Sequence, residues 1–247
     1  MPRAAPKLGA MQAVVLAGGL ATRMRPHTER VPKVLLEVAG RPFVEWQLEK
    51  LAACGFSRVL LCVAYLGEQV RAHVGDGTRF GVRVDYADEG PHLLGTAGAV
   101  RAALPLLDDT FVVTYGDSYL PFDYAAPLAM LRHHPDCDGV MSAYCNRGKW
   151  DSSNVHLTAD GAWIAAYEKG ATDERFDHID YGCLAFRRSV FAELAVGIVL
   201  GLDVLQTELA EARKLRALVA TERFYEIGSP DGWSELSALL RAKGNIK

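Results

Sequence analysis

Cations and hydroxyl-bearing side chains follow a pair of glycines near the start of the chain. The apolar run 13–17 stops at Gly18 and Gly19, and the polar side chains of the next loop are Thr22, Arg23, Arg25, Thr28 and Lys33. Glycines let backbone N–H groups approach phosphate oxygens closely, and Arg and Lys supply the countercharge. The segment Leu16–Lys33 therefore predicts a phosphate-binding loop. Its spacing excludes the two commonest nucleotide motifs, G-x-x-x-x-G-K-[ST] and G-x-G-x-x-G.

Two further positions suit the same kind of ligand. Asp117 ends the apolar segment FVVTYGD, and Mg²⁺ prefers one or two carboxylates together with phosphate oxygens. By itself Asp117 is better explained as a turn residue, but beside the phosphate loop the metal role is favoured. Gly95 and Thr96 begin a predicted helix, whose free N–H groups and dipole would face an anion or a carbonyl edge. The alternative is that Thr96 simply caps this helix.

The order of apolar segments predicts a Rossmann-like, doubly wound α/β fold with a mostly parallel mixed sheet. Strands and helices alternate, and they are predicted at 12–17 (strand), 42–54 (helix), 57–64 (strand), 67–74 (helix), 82–87 (strand), 96–107 (helix) and 111–117 (strand). Such alternation is typical of a parallel sheet covered on both faces. Ligands then bind at the carboxyl ends of the strands, where the phosphate loop and Asp117 both lie.

Beyond residue 138 the pattern changes to short alternating segments. The predicted strands are 138–145, 153–158 and 162–168, with a hairpin turn at Asp160 and Gly161. We expect a small antiparallel lobe here, suited to holding a second substrate, followed by helices at 188–195, 203–213 and 231–242. Residues 1–10 are expected to be a disordered lead-in. Residues 11–247 are expected to form one domain with two halves, at about 11–135 and at about 136–247.

Composition excludes several classes of protein. The 247 residues are half apolar and can bury one α/β core, while a net charge of −3 argues against nucleic-acid binding. The five cysteines are widely spaced and never form C-x-x-C. This pattern is typical of reduced thiols in a cytoplasmic protein and indicates neither a disulfide framework nor a zinc site. Apolar runs of about 5–8 residues are too short for a transmembrane helix, and residues 1–10 lack the apolar stretch of a secretion signal. The tryptophans are interpreted as packing residues, at Trp46, Trp150, Trp163 and Trp233.

The loop resembles the signature of the sugar-1-phosphate nucleotidylyltransferases, which runs approximately G-G-x-G-[TS]-R-x-x-P-x-T-x-x-x-P-K. The matching positions are Gly19, Thr22, Arg23, Pro26, Thr28, Pro32 and Lys33. One departure is Ala21, where the family usually has Gly. The resemblance covers roughly residues 11–242. It implies an enzyme that joins a nucleoside triphosphate to a sugar 1-phosphate and releases pyrophosphate. It also implies that the half at about 11–135 is nucleotide-binding, and that the half at about 136–247, with its antiparallel sugar-binding lobe, binds the sugar phosphate.

The resemblance also implies roles for individual residues. Mg²⁺ is expected on Asp117 and Glu226, since FYEIGSPDGW fits the family's late segment [DE]-[IVT]-G-[ST]-P-[ED]. Relatives often have Asp where this chain has Glu226, and the same segment can also be explained by Ser229 capping the last helix. The expected nucleotide-binding residues are Leu16, Ala17, Gly18, Gly19, Thr22, Arg23, Glu89, Gly95 and Thr96. The expected sugar-phosphate residues are Asn154, Glu168, Lys169, Asp180 and Gly182, and the expected catalytic residues are Arg23, Lys33, Asp117 and Lys169.

The segment LGTAG at 94–98 resembles the branch that transfers guanylyl groups to mannose and heptose phosphates. Glu89 or Asp88 would accept hydrogen bonds from guanine N1–H and N2–H₂. GTP with a heptose or mannose 1-phosphate is therefore the favoured substrate pair. UTP or CTP with another sugar phosphate is the alternative within the class, and a regulatory paralogue that senses nucleotide sugars without catalysis is the alternative outside it. No nucleic-acid or membrane partner is expected, and a homodimer is a possible assembly.

Overall fold

The computed structural model describes residues 10–90 and 92–244, so the expected lead-in lies outside the described residues except for Ala10. The strands are β1 (Met11–Leu16), β2 (Glu37–Val38), β3 (Arg41–Pro42), β4 (Phe56–Val63), β5 (Arg83–Asp88), β6 (Thr110–Tyr115), β7 (Ser118–Tyr119), β8 (Gly139–Tyr144), β9 (Val155–Leu157), β10 (Ile164–Tyr167), β11 (Ile179–Arg187), β12 (Leu215–Ala220) and β13 (Tyr225–Glu226). The α-helices are α1 (Phe43–Ala53), α2 (Gly67–Val74), α3 (Gly95–Ala102), α4 (Ala126–His133), α5 (Arg188–Ala192), α6 (Leu202–Glu211) and α7 (Pro230–Gly244).

Seven strands form one sheet in the order β12-β8-β11-β6-β1-β4-β5. β11 runs antiparallel to its neighbours β6 and β8, and the other neighbouring pairs of this sheet are parallel. Both faces of the sheet are covered, because Ala13 and Val15 of β1 pack in one apolar cluster and Val14 packs in another. The predicted doubly wound, mostly parallel mixed sheet is confirmed.

The sheet differs from the sequence prediction at three strands. No pattern indicated β11, although it lies inside the sheet, because Asp180 and Gly182 interrupt its apolar run. The edge strand β12 was not predicted either. The prediction for β8 was wrong in its partner, since β8 pairs with β11 and β12 in the main sheet rather than in a separate lobe. The antiparallel lobe is therefore the two-stranded hairpin of β9 and β10, and its turn lies at Asp160 and Gly161 as predicted.

Most predicted helices are present, but one of them ends earlier than predicted. The helix predicted at 96–107 begins at Gly95 and ends at Ala102, and a single 3₁₀ turn at Leu104–Leu106 follows it. Pro105 lies in that turn. Because proline lacks a backbone N–H and its ring clashes with the preceding turn, an α-helix does not continue through it.

All five cysteines are free. Three of them, Cys62, Cys137 and Cys183, are buried. Within residues 10–90 and 92–244, no helix combines the length and the apolar character that crossing a membrane requires.

Candidate functional site

The glycine loop begins where β1 leaves the sheet. The N–H of Ala17 still donates to the Cys62 carbonyl of β4, at 2.8 Å. Gly18 then lies against Glu89, so closely that an added Cβ would be 2.5 Å from Glu89 Oε1. A side chain at position 18 would therefore displace this carboxylate, and glycine is what lets the loop contact it.

The loop turns sharply at Ala21, just before its cationic side chains begin. Ala21 has φ +48°, a left-handed conformation that is unfavourable for a residue with a Cβ. The buried hydroxyl of Thr28 donates to the Ala21 carbonyl at 2.8 Å and holds this turn. Thr28 thus shapes the loop, while Thr22 and Arg23 lie exposed in the 3₁₀ turn that follows.

Asp117 reaches the loop because β6 ends beside β1. The N–H of Gly116 donates to the Leu16 carbonyl at 2.9 Å. An added Cβ on Gly116 would lie 2.7 Å from that carbonyl oxygen, so glycine is required for this close approach. Asp117 Oδ2 then lies 2.6 Å from Lys33 Nζ, and both side chains are largely buried. The structure thus joins two of the predicted catalytic residues in one ion pair.

Gln47 of α1 fixes the backbone on both sides of Asp117, and sequence reasoning missed it. Its Nε2 donates to the Tyr115 carbonyl at 2.7 Å and to the Ser118 carbonyl at 2.9 Å. The signal was present in the sequence, since Gln47 lies four residues after Phe43 on the buried face of the helix. A polar residue on an apolar stripe is expected to have a buried hydrogen-bonding partner.

Glu226 is brought to Asp117 by a second, two-stranded pairing. β13 runs antiparallel to β7, with Glu226 opposite Ser118, and the Ile227 N–H donates to the Asp117 carbonyl at 2.9 Å. The Glu226 carboxylate accepts hydrogen bonds from the Gly228 N–H and from the Ser229 hydroxyl. The Ser229 hydroxyl in turn accepts from the Gly232 N–H at 3.1 Å in the first turn of α7. Ser229 thus caps α7 as predicted, and it also contacts Glu226, the predicted metal ligand.

Gly228 marks the point where three predicted functional side chains converge. An added Cβ there would lie 2.6 Å from Glu226 Oε2, 3.2 Å from an Arg23 guanidinium nitrogen and 3.4 Å from Asp117 Oδ2. Residues more than 200 positions apart in the sequence thus surround one point. A cation and two carboxylates at one point are suited to binding a phosphate together with a divalent metal ion.

Two cavities open on either side of Asp117. The first, which we call the glycine-loop cavity, comprises about 750 Å³ including its part open to solvent, and it has Asp117 in its wall. The predicted residues that line it are Leu16, Ala17, Gly18, Gly19, Lys33, Glu89, Gly95, Thr96 and Asp117. The second, which we call the Asp180 cavity, comprises about 1080 Å³ including its part open to solvent. The predicted residues that line it are Arg23, Asp117, Asn154, Asp180, Gly182 and Glu226.

The start of α3 differs from the prediction of free N–H groups. The N–H groups of Ala97 and Gly98 donate to the Leu200 carbonyl at 2.9 and 3.1 Å. The Thr96 hydroxyl accepts from the Leu202 N–H at 2.7 Å, so it caps α6 rather than its own helix. The interpretation of Thr96 as the cap of its own helix was therefore wrong, whereas the nucleotide-binding role of Gly95 and Thr96 stays a prediction. The segment before α6, which no local signal in α3 reveals, occupies these donors.

The carboxylate of Glu89 lies in a poorly hydrated part of the glycine-loop cavity. Its Oε2 accepts from the Leu94 N–H at 3.1 Å. Loss of hydration raises the pKa of the Glu89 carboxyl, and the hydrogen bond from Leu94 partly opposes that shift. A partly desolvated carboxylate gains from a ligand that donates hydrogen bonds to it.

Asp180 and its neighbours form a hydrogen-bonded network in the second cavity. Asp180 Oδ1 accepts from the Gly182 N–H at 2.9 Å, and Oδ2 accepts from Gln206 Nε2 at 2.8 Å. Asn154 Oδ1 accepts from the Asp180 N–H at 2.9 Å. Burial raises the pKa of the Asp180 carboxyl, and these donors partly oppose the shift. Asp180 is therefore a structural anchor of the cavity as well as part of its lining.

Glu168 and Lys169 lie apart from both cavities. They are exposed and line a separate open depression beside α6, together with Asp203. Tyr167 borders both that depression and the Asp180 cavity. The predicted Glu-Lys pair and Thr22 therefore lie outside the lining of both cavities.

Trp150 also departs from its interpretation as a packing residue. Its side chain is 49% exposed and lines the Asp180 cavity beside Asp151. The Arg223 guanidinium stacks on its ring at 3.6 Å from the centroid. An exposed aromatic ring at a cavity mouth is available to contact a ligand.

Comparison with known proteins places this chain in a family. Residues 12–238 match the family described as Nucleotidyl transferase. A mannose-1-phosphate guanylyltransferase of Mycobacterium tuberculosis is 30% identical over 234 residues, which cover 93% of this chain and 64% of that protein. An N-acetylmuramate alpha-1-phosphate uridylyltransferase of Neisseria meningitidis serogroup B is 42% identical over 127 residues, which cover 51% of this chain and 55% of that protein.

A solved structure supports the fold independently. A UDP-glucose pyrophosphorylase from Acinetobacter baumanii superposes with a TM-score of 0.77 at 13% identity, covering 96% of this chain and 95% of that one. The chain spans less than two thirds of the length of the two curated relatives above. Since the family match runs through nearly all of its sequence, this protein belongs to the nucleotidyl transferase family.

Proposed function

We propose that this protein transfers a nucleotidyl group from a nucleoside triphosphate to a sugar 1-phosphate. The observation that carries the proposal is the junction at Asp117, where the glycine-loop cavity meets the Asp180 cavity. The triphosphate would lie in the first cavity and the sugar phosphate in the second. An oxygen of the sugar phosphate then bonds to the α-phosphorus, the bond from that phosphorus to the β-phosphate oxygen breaks, and pyrophosphate leaves.

Catalysis in this arrangement depends on alignment and on charge neutralisation. A sugar phosphate is already ionised at neutral pH, so no general base has to act on the attacking oxygen. Lys33, held 2.6 Å from Asp117, places one positive charge at the glycine-loop side of the junction. Arg23 lines the opposite cavity and places a second charge there. Fixed positive groups on both sides of the transferred phosphate would stabilise the charge that develops in the transition state.

Asp117 and Glu226 fit a magnesium ion. One oxygen of each carboxylate lies within 3.4 Å of the same point, the position of an added Cβ on Gly228. Two carboxylates combined with substrate phosphate oxygens are the donor set that Mg²⁺ prefers. When bound, the ion would supply further positive charge to the triphosphate. Glu226 is held by the Gly228 N–H and the Ser229 hydroxyl, which orient its carboxylate for this role.

Asn154, Asp180 and Gly182 would bind the sugar, because they line the second cavity at the carboxyl end of the sheet. Lys169 would steer the sugar phosphate from outside the Asp180 cavity. Tyr167, two residues earlier in the chain, already borders that cavity. Glu168 would accept hydrogen bonds from hydroxyls of a sugar that extends beyond the cavity.

GTP with a mannose or heptose 1-phosphate is the substrate pair that we favour. Glu89 supports GTP, because its half-buried carboxylate in the glycine-loop cavity would accept both guanine N1–H and N2–H₂, which uracil does not offer. The M. tuberculosis guanylyltransferase supports the same choice. The second candidate is UTP with another sugar 1-phosphate, which the 42% identity of the N. meningitidis uridylyltransferase favours.

The reaction is tested by incubating the protein with a nucleoside triphosphate, a sugar 1-phosphate and Mg²⁺. The proposal predicts equal amounts of pyrophosphate and nucleotide sugar. The Glu89→Gln variant tests the choice of base, and we expect its preference for GTP over UTP to fall by about tenfold or more, since one bonded acceptor is replaced by a donor. An unchanged ratio would remove Glu89 from base recognition. Binding of nucleotide sugar without pyrophosphate release would instead indicate a sensor.

A further inference from the structure

A group of three potential metal ligands lies outside the junction at Asp117. One ligand atom each from Cys145, Asp177 and His178 lies within 4.8 Å of the others. We propose that these three side chains form a second metal site, for a soft divalent cation of the zinc class. The site is independent of the proposed transfer reaction, because it shares no residue with it.

The backbone explains why these side chains meet. The ladder between β8 and β11 ends at the pair Tyr144 and Ile179, so Cys145 and His178 are the next residues on opposing chains. The Arg147 N–H donates to the Asp177 carbonyl at 2.8 Å and continues the contact outward. Opposed side chains in an antiparallel pair have Cβ atoms about 4.5–5.5 Å apart. This spacing lets a thiol and an imidazole share one ion.

The chemistry of the three groups selects the ion. A thiolate and an imidazole are ligands of zinc and similar transition metals, whereas Mg²⁺ takes oxygen ligands. Three protein ligands with a water molecule complete a tetrahedral zinc site. The His178 ring is already oriented, since its Nδ1 lies 2.6 Å from Asp177 Oδ1, and the ring is 14% exposed. All three side chains are partly buried and partly accessible, so an ion can enter from solvent.

A metal ion here would stiffen one wall of the Asp180 cavity. Asn146, directly after Cys145, is fully buried and closes the next loop, with its Nδ2 donating to the Asp151 carbonyl at 2.5 Å. Its Oδ1 accepts from the Trp150 N–H at 3.2 Å. Trp150 and Asp151 both line the Asp180 cavity. The ion would therefore tie the segment 145–151 to the start of β11.

Cobalt and zinc titrations test the site directly. Co²⁺ bound by a thiolate gives a near-ultraviolet charge-transfer band, which oxygen ligands such as Asp117 and Glu226 do not give. With excess Mg²⁺ present, we expect one Co²⁺ per chain with this band, and Zn²⁺ should displace it. Cys145→Ser should abolish the band, and Asp177→Asn should weaken Co²⁺ binding about tenfold. Cys54→Ser, which alters another partly buried free thiol, is the matched control and should behave as the unaltered protein.

Trypsin digestion supplies a second measurement that does not depend on activity. Arg147 and Lys149 are exposed cleavage sites within the segment. We expect Zn²⁺ to slow cleavage at these sites severalfold in the unaltered protein and in Cys54→Ser, but not in Cys145→Ser. Absence of the charge-transfer band, or its survival in Cys145→Ser, would overturn the site. An unchanged cleavage rate with zinc bound would overturn the stiffening of the cavity wall.

Discussion

Replacing Asp117 by asparagine removes one negative charge from the junction of the two cavities and keeps the shape of the side chain. Lys33 Nζ then loses the carboxylate oxygen that lies 2.6 Å away. Glu226 remains, but the proposed Mg²⁺ site keeps one carboxylate instead of two. The Asp117 backbone carbonyl still accepts the Ile227 N–H at 2.9 Å, so the pairing of β7 and β13 is retained.

The effect on turnover should far exceed the effect on stability. Loss of one preorganised charged group costs about 2.7–4 kcal/mol of transition-state stabilisation, which is about a hundredfold to a thousandfold in rate. The side chains of Lys33 and Asp117 are 18% and 24% exposed. Exposed ion pairs contribute about 0–1 kcal/mol, and this pair is more buried, so we expect unfolding free energy to fall by about 1–2 kcal/mol at most.

The assay is pyrophosphate release at saturating Mg²⁺, with urea unfolding on the same samples. Asp108→Asn is the matched control, because Asp108 Oδ1 pairs with Arg58 Nη1 at 2.7 Å beside the opposite, amino end of β6. It removes the same charge from an ion pair of similar length, and turnover should stay unchanged. A folded Asp117→Asn enzyme within tenfold of normal turnover would refute the reasoning. An equal loss in Asp108→Asn would show that the effect is not local to the junction.

Three further predictions follow from single contacts. Gly228→Ala places a Cβ 2.6 Å from Glu226 Oε2 and so displaces this carboxylate. We expect kcat/KM to fall by about tenfold to a hundredfold, because small displacements of reacting groups are that costly. Normal kcat/KM in the folded variant would contradict this prediction. Burial raises the pKa of the Glu89 carboxyl above its value in the unfolded chain. As the pH rises from the unfolded pKa to the folded pKa, ionisation of Glu89 therefore lowers the free energy of unfolding, and this free energy stays lower at higher pH. In urea unfolding from about pH 4 to pH 8, Glu89→Gln should therefore gain stability over the unaltered protein only at the upper end; an equal difference at every pH would contradict the assignment. Thr96→Ala removes the acceptor for the Leu202 N–H and should lower the free energy of unfolding by about 1 kcal/mol, whereas an unchanged unfolding midpoint would show that this cap contributes nothing.

The position of the glycine loop, Lys33 and Asp117 in the fold was predictable, because the residue patterns that indicate it are local. Gly18, Gly19 and Lys33 lie within one short segment, and the rule that ligands bind at the carboxyl ends of parallel strands places Asp117 beside them. The structure brings these residues to one cavity. The roles of these residues in binding and catalysis stay predictions.

The remaining features depend on contacts between distant parts of the chain. β11 was missed because Asp180 and Gly182, which serve the cavity, break its apolar pattern. The partner of Thr96 lies 106 residues away in α6. The crowding around Gly228 is only partly local, because Glu226 lies two residues away whereas Arg23 and Asp117 are brought there by other elements. Positions of this kind follow from tertiary packing rather than from local periodicity.

The measurement that tests the central claim most directly is pyrophosphate release across a matrix of substrates. ATP, GTP, CTP and UTP would be combined with Mg²⁺ and with the 1-phosphates of mannose, glucose, N-acetylglucosamine, heptose and N-acetylmuramate. We predict release with at least one pair, strongest in the GTP row, with one nucleotide sugar formed for each pyrophosphate and with the signal lost in Asp117→Asn. Silence across the whole matrix from folded protein would contradict the account.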